Sequence, residues 1–407
     1  MVVGGVVVVA LLGSACRKGS STSTSERTSD AAATTTAHVS SAIAPHLDPR
    51  APSPAAQIAL GGAHACMVSQ SVMRCWGDNT YGELGNGSHT SADRPGLVPS
   101  FDHVASICLG AAFTCALLDD ATVRCFGRNG EGELGDDTYT DRANPTKVLG
   151  LSHVAQIACG GAFACARMDD GGVRCWGDNA SGQLGDGTTT RRRKSVVVAS
   201  LHGVNELALG DSSACARLND GSVRCWGSNA HGQVGDGGGD DQRVPIAPVG
   251  LAKIARIAVG SQHACALDEA RVLKCWGGNA LGEIGDGTFE ERRTPVVIAG
   301  VSGMDGIEEI RLAAHDSCAR TFDGRVWCWG WRSFGQLGDG TLHATPNSIA
   351  RPREISGLSD VREIALGDRD ACARVGDGGV WCWGANEHGQ LGDGTKSDRG
   401  VPGGVGW

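Results

Sequence analysis

The cysteines are the first residues in this chain that could do chemistry. Of the 17, fourteen fall into seven pairs: Cys66/Cys75, Cys115/Cys125, Cys165/Cys175, Cys215/Cys225, Cys265/Cys275, Cys318/Cys328 and Cys372/Cys382. Thiols at such spacing could hold zinc, shuttle electrons or close disulfides. A zinc site usually draws on Cys-x-x-Cys, which is absent, and a histidine near the first cysteine occurs in only some units. Each pair instead brackets a turn, as in "CARMDDGGVRC" (165–175). Across such a hairpin the two cysteines sit opposite each other. A non-hydrogen-bonded antiparallel pair brings its Cα atoms to about 4.5 Å, within disulfide reach. The spacing therefore predicts seven intra-hairpin disulfides, provided the compartment oxidises. Cys108 and Cys159 lie outside the pattern and read as small, buried free thiols.

Other chemistry is sparse. The chain has no Gly-x-Ser-x-Gly, no phosphate loop and no His-Glu-x-x-His. Ser, His and Asp are scattered, and a triad among them could form only in space. The turn residues Asn86, Asp136, Asp186, Asp236, Asp286, Asp339 and Asp393 invite a calcium reading. One acid per turn more often bonds its own backbone than cages an ion, and "DGGGDD" (236–241) is the best exception. No catalytic, cofactor-binding or metal residue is assigned, and no enzyme is expected. A formal charge of −9 disfavours nucleic acid as a partner, since phosphate contacts need a basic face. The one basic run, "RRRK" at 191–194, reads as a solvated loop.

The elements that carry these residues recur. "HACMVSQSVMRCWGDNTYGELGNG" (64–87) returns six times, for instance as "SACARLNDGSVRCWGSNAHGQVGDG" and "DACARVGDGGVWCWGANEHGQLGDG". The second cysteines step by 50, 50, 50, 50, 53 and 54 residues. Each unit alternates short apolar strands with glycine-rich turns, and a period of about 50 residues without helical patterning points to propeller blades. Four strands per unit, seven times, give an all-β fold: a seven-bladed β-propeller over residues 56–407. Most hairpins carry a glycine where a left-handed conformation is needed. Ala121 and Arg271 replace it in the second and fifth units, where a looser or different turn is expected. The closing "RGVPGGVGW" resembles the proline-bearing strand that precedes each later unit, and is expected to complete the first blade.

The phrase His-Ala-Cys-Ala…Asp-Gly-x-Val-x-Cys-Trp-Gly-x-Asn-x-x-Gly-Gln-Leu-Gly-Asp-Gly resembles the regulator-of-chromosome-condensation repeat family, across roughly residues 57–407. The resemblance implies a seven-bladed propeller and a role in binding other proteins. Its members include a nuclear guanine-nucleotide exchange factor and a secreted bacterial inhibitor of β-lactamases. This chain departs from the familiar repeat in its paired cysteines.

Trp76, Trp176, Trp226, Trp276, Trp329 and Trp383, with Phe126, supply one core aromatic per blade. Variation concentrates elsewhere. The residue before the glycine of Asn-x-x-Gly is Tyr81, Glu131, Ser181, His231, Leu281, Phe334 or His388, a ring on one face by symmetry. The loops after each Gly-Asp-Gly carry Tyr139, Arg192 and Phe289, and the sixth unit departs most, with Trp331 beside Phe334. Aromatics and arginines on a rigid rim are the stuff of interface hot spots. The partner-binding candidates are therefore Tyr81, Tyr139, Arg192, His231, Phe289, Trp331, Phe334 and His388. They could equally cover the neighbouring blade.

The N-terminus, "MVVGGVVVVALLGSAC", is apolar, too short to span a bilayer, and reads as an export signal over residues 1–16. Leu12, Ser14 and Ala15 before Cys16 resemble a bacterial lipobox, which implies lipidation at Cys16. Residues 17–55, rich in Ser, Thr, Ala and Pro, read as a flexible tether. The expected protein is exported and anchored in the cell envelope. The outer membrane is favoured, with secretion if the lipobox is unused. Its expected partner is another protein, not a small GTPase, which belongs inside cells. The alternatives are an enzyme or small-ligand or carbohydrate binder using the channel or one rim, and a purely structural protein.

Overall fold

The computed structural model describes residues 57–407 except 100, 302 and 344. The predicted signal segment with Cys16 and the tether lie outside the described residues. Every regular element among those described is a β-strand, and they form seven four-stranded antiparallel sheets. Blade 1 spans 57–97, blade 2 104–147, blade 3 154–197, blade 4 204–246, blade 5 254–297, blade 6 307–354 and blade 7 361–404. Within each blade the strands follow chain order. The two central strands are short, apolar and largely buried, whereas the last strand is largely half-exposed. That last strand carries a proline in every blade but the third, as in Arg142–Lys147. Proline lacks the donor that a central strand needs, so it is tolerated at an edge.

Two expectations are corrected here. Arg399–Gly404 pairs with Val380–Gly384 of its own blade, Cys382 opposite Gly403, and does not complete blade 1. The proline-bearing strand is the outer strand of the blade before it, not the start of the blade after it. Blade 1 accordingly has its own, Ala92–Leu97, paired with Val72–Gly77. Nor do the second and fifth hairpins loosen. Ala121 and Arg271 take φ of 60° and 65°, the same left-handed region as Gly171 and Gly221. Their amides donate to the Leu118 and Asp268 carbonyls just as Gly171 donates to Met168. Flanking strand pairing imposes the turn on residues that disfavour it.

Each hydrophobic core lies in a seam between blades. In the seam of blades 3 and 4, Phe163, Cys165, Val173, Cys175 and Leu184 meet Leu207, Ala214, Ala216 and Trp226. The seam explains the Trp-Gly and Gly-Asp-Gly spacing. The indole of Trp226 donates to the Gln183 carbonyl of the preceding blade at 2.8 Å, and Trp176, Trp276, Trp329 and Trp383 do likewise. Gly185, at φ 64°, lies flat against that indole, and a Cβ there would stand 3.0 Å from its nitrogen. Blade 2 has Phe126, which cannot donate, and there the hydroxyl of Thr114 bonds the Glu83 carbonyl instead. The ring closes by the same means: Trp76 of blade 1 donates to the Gln390 carbonyl of blade 7. The Gly394 amide bonds the Asp93 carbonyl as Gly187 bonds Arg243.

Seven hairpin disulfides are present: Cys66–Cys75, Cys115–Cys125, Cys165–Cys175, Cys215–Cys225, Cys265–Cys275, Cys318–Cys328 and Cys372–Cys382. In each the two cysteines are opposed in the ladder, with Cα separations of 4.0–4.2 Å. These sulfurs are spent on packing and offer no reactive or metal-holding site. Cys75, Cys125, Cys225, Cys275 and Cys328, like Cys175 and Cys382, are at most 2% exposed. Each sits in the apolar core of a seam rather than in the channel wall. A further correction concerns Cys108 and Cys159, which are not free thiols. They form an eighth disulfide, joining the inner strands of blades 2 and 3 along the channel. Each belongs to a different repeat and they sit one register position apart, so no single unit reveals the pair. Facing inner strands in adjacent blades bring their Cα atoms to 5.4 Å, ordinary for a disulfide.

Candidate protein-binding face

In each antiparallel blade the first turn and the long third connection emerge on the same side of the ring. That side carries the variable residues on a scaffold made by the constant ones. Asn179 is fully buried, accepts from the Leu184 amide, and donates to the Thr188 and Thr190 carbonyls. Asp186 accepts from the amide and hydroxyl of Thr188. These bonds make the aspartates turn-formers, and among the described residues no three His, Cys, Asp or Glu side chains converge as a metal set.

The predicted residues divide on this scaffold. Tyr81, Tyr139 and Phe289 stand out from it, 39%, 41% and 54% exposed. Arg128 lies 5.9 Å from the Tyr81 ring, and Arg191 and Arg193 lie 4.5 and 5.7 Å from that of Tyr139. Arg192 turns inward and binds the Asp186 carboxylate at 2.7 Å, so it holds its own loop. Half-exposed His231 meets Glu291 at 3.1 Å, and His388 stands 3.6 Å from both Asp78 and Glu387. The structure brings Trp331 and Phe334 together, edge to face at 5.2 Å. The others are spread over separate blades.

Sequence reasoning missed what surrounds that aromatic pair. His315 packs edge-on to Trp331 at 5.9 Å, and Arg369 lies 4.9 Å above the Phe334 ring. Toward the axis, the first turns of the seven blades ring an opening of about 170 Å3, lined by Gly62, Ala111, Gly161, Asp211, Ser261, Ala314 and Asp368 among others. At the two turn positions that follow the paired glycine of each inner strand, blades 1–3 carry only glycine and alanine: Gly62, Ala63, Ala111, Ala112, Gly161 and Ala162. Blades 4–7 place Asp211, Ser212, Ser261, Gln262, Ala314, His315, Asp368 and Arg369 at the equivalent positions, all polar but Ala314. This asymmetry was available from aligning the repeats just after each inner strand.

The titratable groups here are coupled. Burial, reinforced by the charge of Asp211, pushes the Asp368 carboxyl up to about 6. The hydrogen bond to Glu283 raises His315, and although burial pushes the Glu283 carboxyl up, that partner holds it below the ordinary range. Beneath the first turns, His64 and His263 are buried and pushed down to about 4, hence neutral. They bond the Thr114 and Ser317 hydroxyls across the seams at 2.9 and 2.8 Å. Each histidine thus ties one blade to the next.

Beyond the mouth the channel widens to about 800 Å3. Its walls are largely self-satisfied. Gln57 and Gln156 clip the inner strand of the next blade through Ile107 and Leu207. Glu206, Glu309 and Glu363 pair with Arg217, Arg320 and Arg374 at 2.9, 2.9 and 3.1 Å.

Comparison with known proteins agrees with this architecture. The RCC1-like domain matches residues 151–405, and the regulator of chromosome condensation (RCC1) repeat matches 75–117 and 120–167. Among curated relatives, the Arabidopsis thaliana ultraviolet-B receptor UVR8 is 36% identical over 107 residues, 25% of this chain and 23% of that protein. Human E3 ubiquitin-protein ligase HERC2 is 33% identical over 102 residues, 25% of this chain and 2% of that protein. The chain thus spans under a quarter of either relative. Among solved structures, Saccharomyces cerevisiae Prp20p superposes with a TM-score of 0.75 at 24% identity, covering 83% of this chain and 86% of that one. Human WBSCR16 gives 0.74 at 23% identity, covering 83% and 95%. These two likenesses establish the shared fold. The chain belongs to the RCC1-like domain family.

Proposed function

We propose that this protein is a non-enzymatic scaffold that binds another protein through the face bearing the first turns and long third connections. One observation carries the reading: the buried side chains shared by most blades are consumed by internal bonds, as are those of Arg332 and Asp339 in blade 6, while Tyr81, Tyr139 and Phe289 stand exposed and half-buried Trp331 packs against Phe334. Preformed aromatic and arginine groups lose little freedom on binding, which is what hot spots need. The paired charges of the channel favour a packed wall over a reactive centre. Prp20p, a structural neighbour, is described by its binding to Gsp1p and histones, which supports protein partnership as a class. Eight disulfides suit an oxidising compartment, and on that ground we place the protein outside the cytoplasm. There, Cys16 would tether it to the envelope and a small GTPase would not meet it.

The test is capture from an envelope extract with the full chain carrying Cys16→Ser as bait. Retention of a protein that is lost on Tyr81→Ala/Trp331→Ala/Phe334→Ala, yet kept on Phe322→Ala of the opposite face, supports the reading. Equal retention by both variants removes the face assignment.

A further inference from the structure

Seven of the eight disulfides are sealed in packed cores and one is not. Every hairpin cysteine is at most 2% exposed. Cys108 and Cys159 are half-buried on the inner strands, both line the channel of about 800 Å3, and Cys159 also borders the mouth. Among the described residues no other cysteine lines either space. A volume of that size holds small organic molecules, so a small dithiol reaches this bond without any blade opening. The bond also stands where its seam is short of other ties. Between blades 1 and 2, Gln57 clips Ile107 and His64 meets Thr114. Between blades 3 and 4, Gln156 clips Leu207. Between blades 2 and 3 the position of the glutamines holds Ser106, too short for that clip, and the position of the His–Thr pair holds Phe113 and Ala164, which meet in the apolar core. The inner end of this seam is thus held by the disulfide and by the Ala111 amide, which donates to the Gly161 carbonyl at 2.9 Å. Farther out, the Trp176 indole donates to the Glu133 carbonyl at 2.7 Å and Arg193 meets Asp137 at 2.9 Å.

We propose that Cys108–Cys159 is a thiol–disulfide exchange site, opened by a small dithiol that enters the channel while the ring stays folded. The inference goes beyond the scaffold reading and does not depend on it. A thiolate of the dithiol attacks one sulfur of the pair and forms a mixed disulfide, and the other cysteine leaves as a thiolate and takes up a proton. The second thiol of the reductant, as its thiolate, then attacks its own sulfur in that mixed bond and releases the remaining cysteine. Two electrons and, net, two protons pass to the protein, and the reductant leaves as its cyclic disulfide. The reverse exchange with a small disulfide restores the bond. An incoming thiolate must touch a sulfur, so a pair inside a packed core exchanges only when its blade opens, whereas this pair is met on a wall. Reduction releases the inner ends of Val104–Leu109 and Val154–Cys159 from each other. The outer bonds at Trp176 and Arg193 keep the seam closed, so the dithiol state is a form of the folded protein.

The probe is dithiothreitol, added under native conditions to the full chain carrying Cys16→Ser. Samples taken over time are trapped with iodoacetamide and read by peptide mass spectrometry, with circular dichroism and Trp fluorescence followed in parallel. Cys108 and Cys159 should be alkylated at least about tenfold faster than any hairpin cysteine, because core pairs must wait for opening. Both spectra should stay unchanged while they react. In Cys108→Ser/Cys159→Ser the fast phase should vanish and the hairpin cysteines should remain slow. If that variant does not fold, the ranking of the pairs in the parent decides by itself. Alkylation of any hairpin pair as fast as Cys108 and Cys159 overturns the inference. So does alkylation of these two only when the spectra collapse or denaturant is present, and so does a fast phase that survives in the folded double variant.

Discussion

At the scale of single residues, the repeats act as controls for one another. Glu83 occupies a column that is glutamine in blades 3, 4, 6 and 7, and its side chain accepts from the Tyr81 amide as Gln183 accepts from Ser181. Burial pushes the Glu83 carboxyl up to about 7. A raised carboxyl pKa means that the folded state keeps a proton which the unfolded chain releases above about 4.5. Stability is therefore whole below about 4.5 and is lost as pH rises towards 7. Glu83→Gln keeps the acceptor and removes the charge. We expect it to stabilise by about 1–2 kcal/mol at pH 8, a few degrees in melting temperature, with no gain near pH 4. Melting curves at the two pH values check this, and a gain independent of pH would show that charge is not the cause.

Elements were legible where spacing alone decides them. The regular cysteine interval, the aromatic before glycine and the Gly-Asp-Gly turn sufficed to give the hairpins, one core aromatic per blade and the seven hairpin disulfides, because each repeat is a complete statement of its own local geometry. What lay hidden depended on neighbours. The Cys108–Cys159 bond joins different register positions of two repeats. The blade to which the proline-bearing strand belongs is fixed by pairing, which sequence order does not reveal. Ala121 and Arg271 look like broken turns until the flanking ladders are seen to force them. The rim candidates were found by their variability, yet Arg192 proved to hold its own loop. The polar half of the mouth escaped because its signal is a difference between groups of blades. The two kinds of disulfide should also differ in strength. Removing a hairpin pair, Cys215→Ala/Cys225→Ala, opens a short loop worth about 2–3 kcal/mol in the chain-entropy account. Removing Cys108→Ala/Cys159→Ala frees a 51-residue loop, worth about 4 kcal/mol. Denaturant unfolding of both variants should rank them in that order, and the reverse ranking would show that loop closure does not govern these bonds here.

For the whole molecule, the ring is closed by packing and not by strand exchange. The seam between blades 7 and 1 repeats the bonds of an interior seam: an indole to a carbonyl and an amide to an outer-strand carbonyl. Trp76→Ala should thus cost as much as Trp226→Ala, about 3–5 kcal/mol each for loss of a buried aromatic. Unfolding free energies agreeing within about 1 kcal/mol would bear this out. A much milder effect at Trp76 would mean that the closing seam contributes little to stability. A ring closed this way holds seven loops in fixed relation, which is what a binding face across several blades requires. That claim is tested most directly by hydrogen exchange on the complex with whatever protein the bait retains. The account predicts slowed exchange in loops 78–91, 128–141 and 331–343, with hairpins 119–122 and 322–325 of the opposite face unchanged. Protection confined to those hairpins or to the outer strands would contradict it.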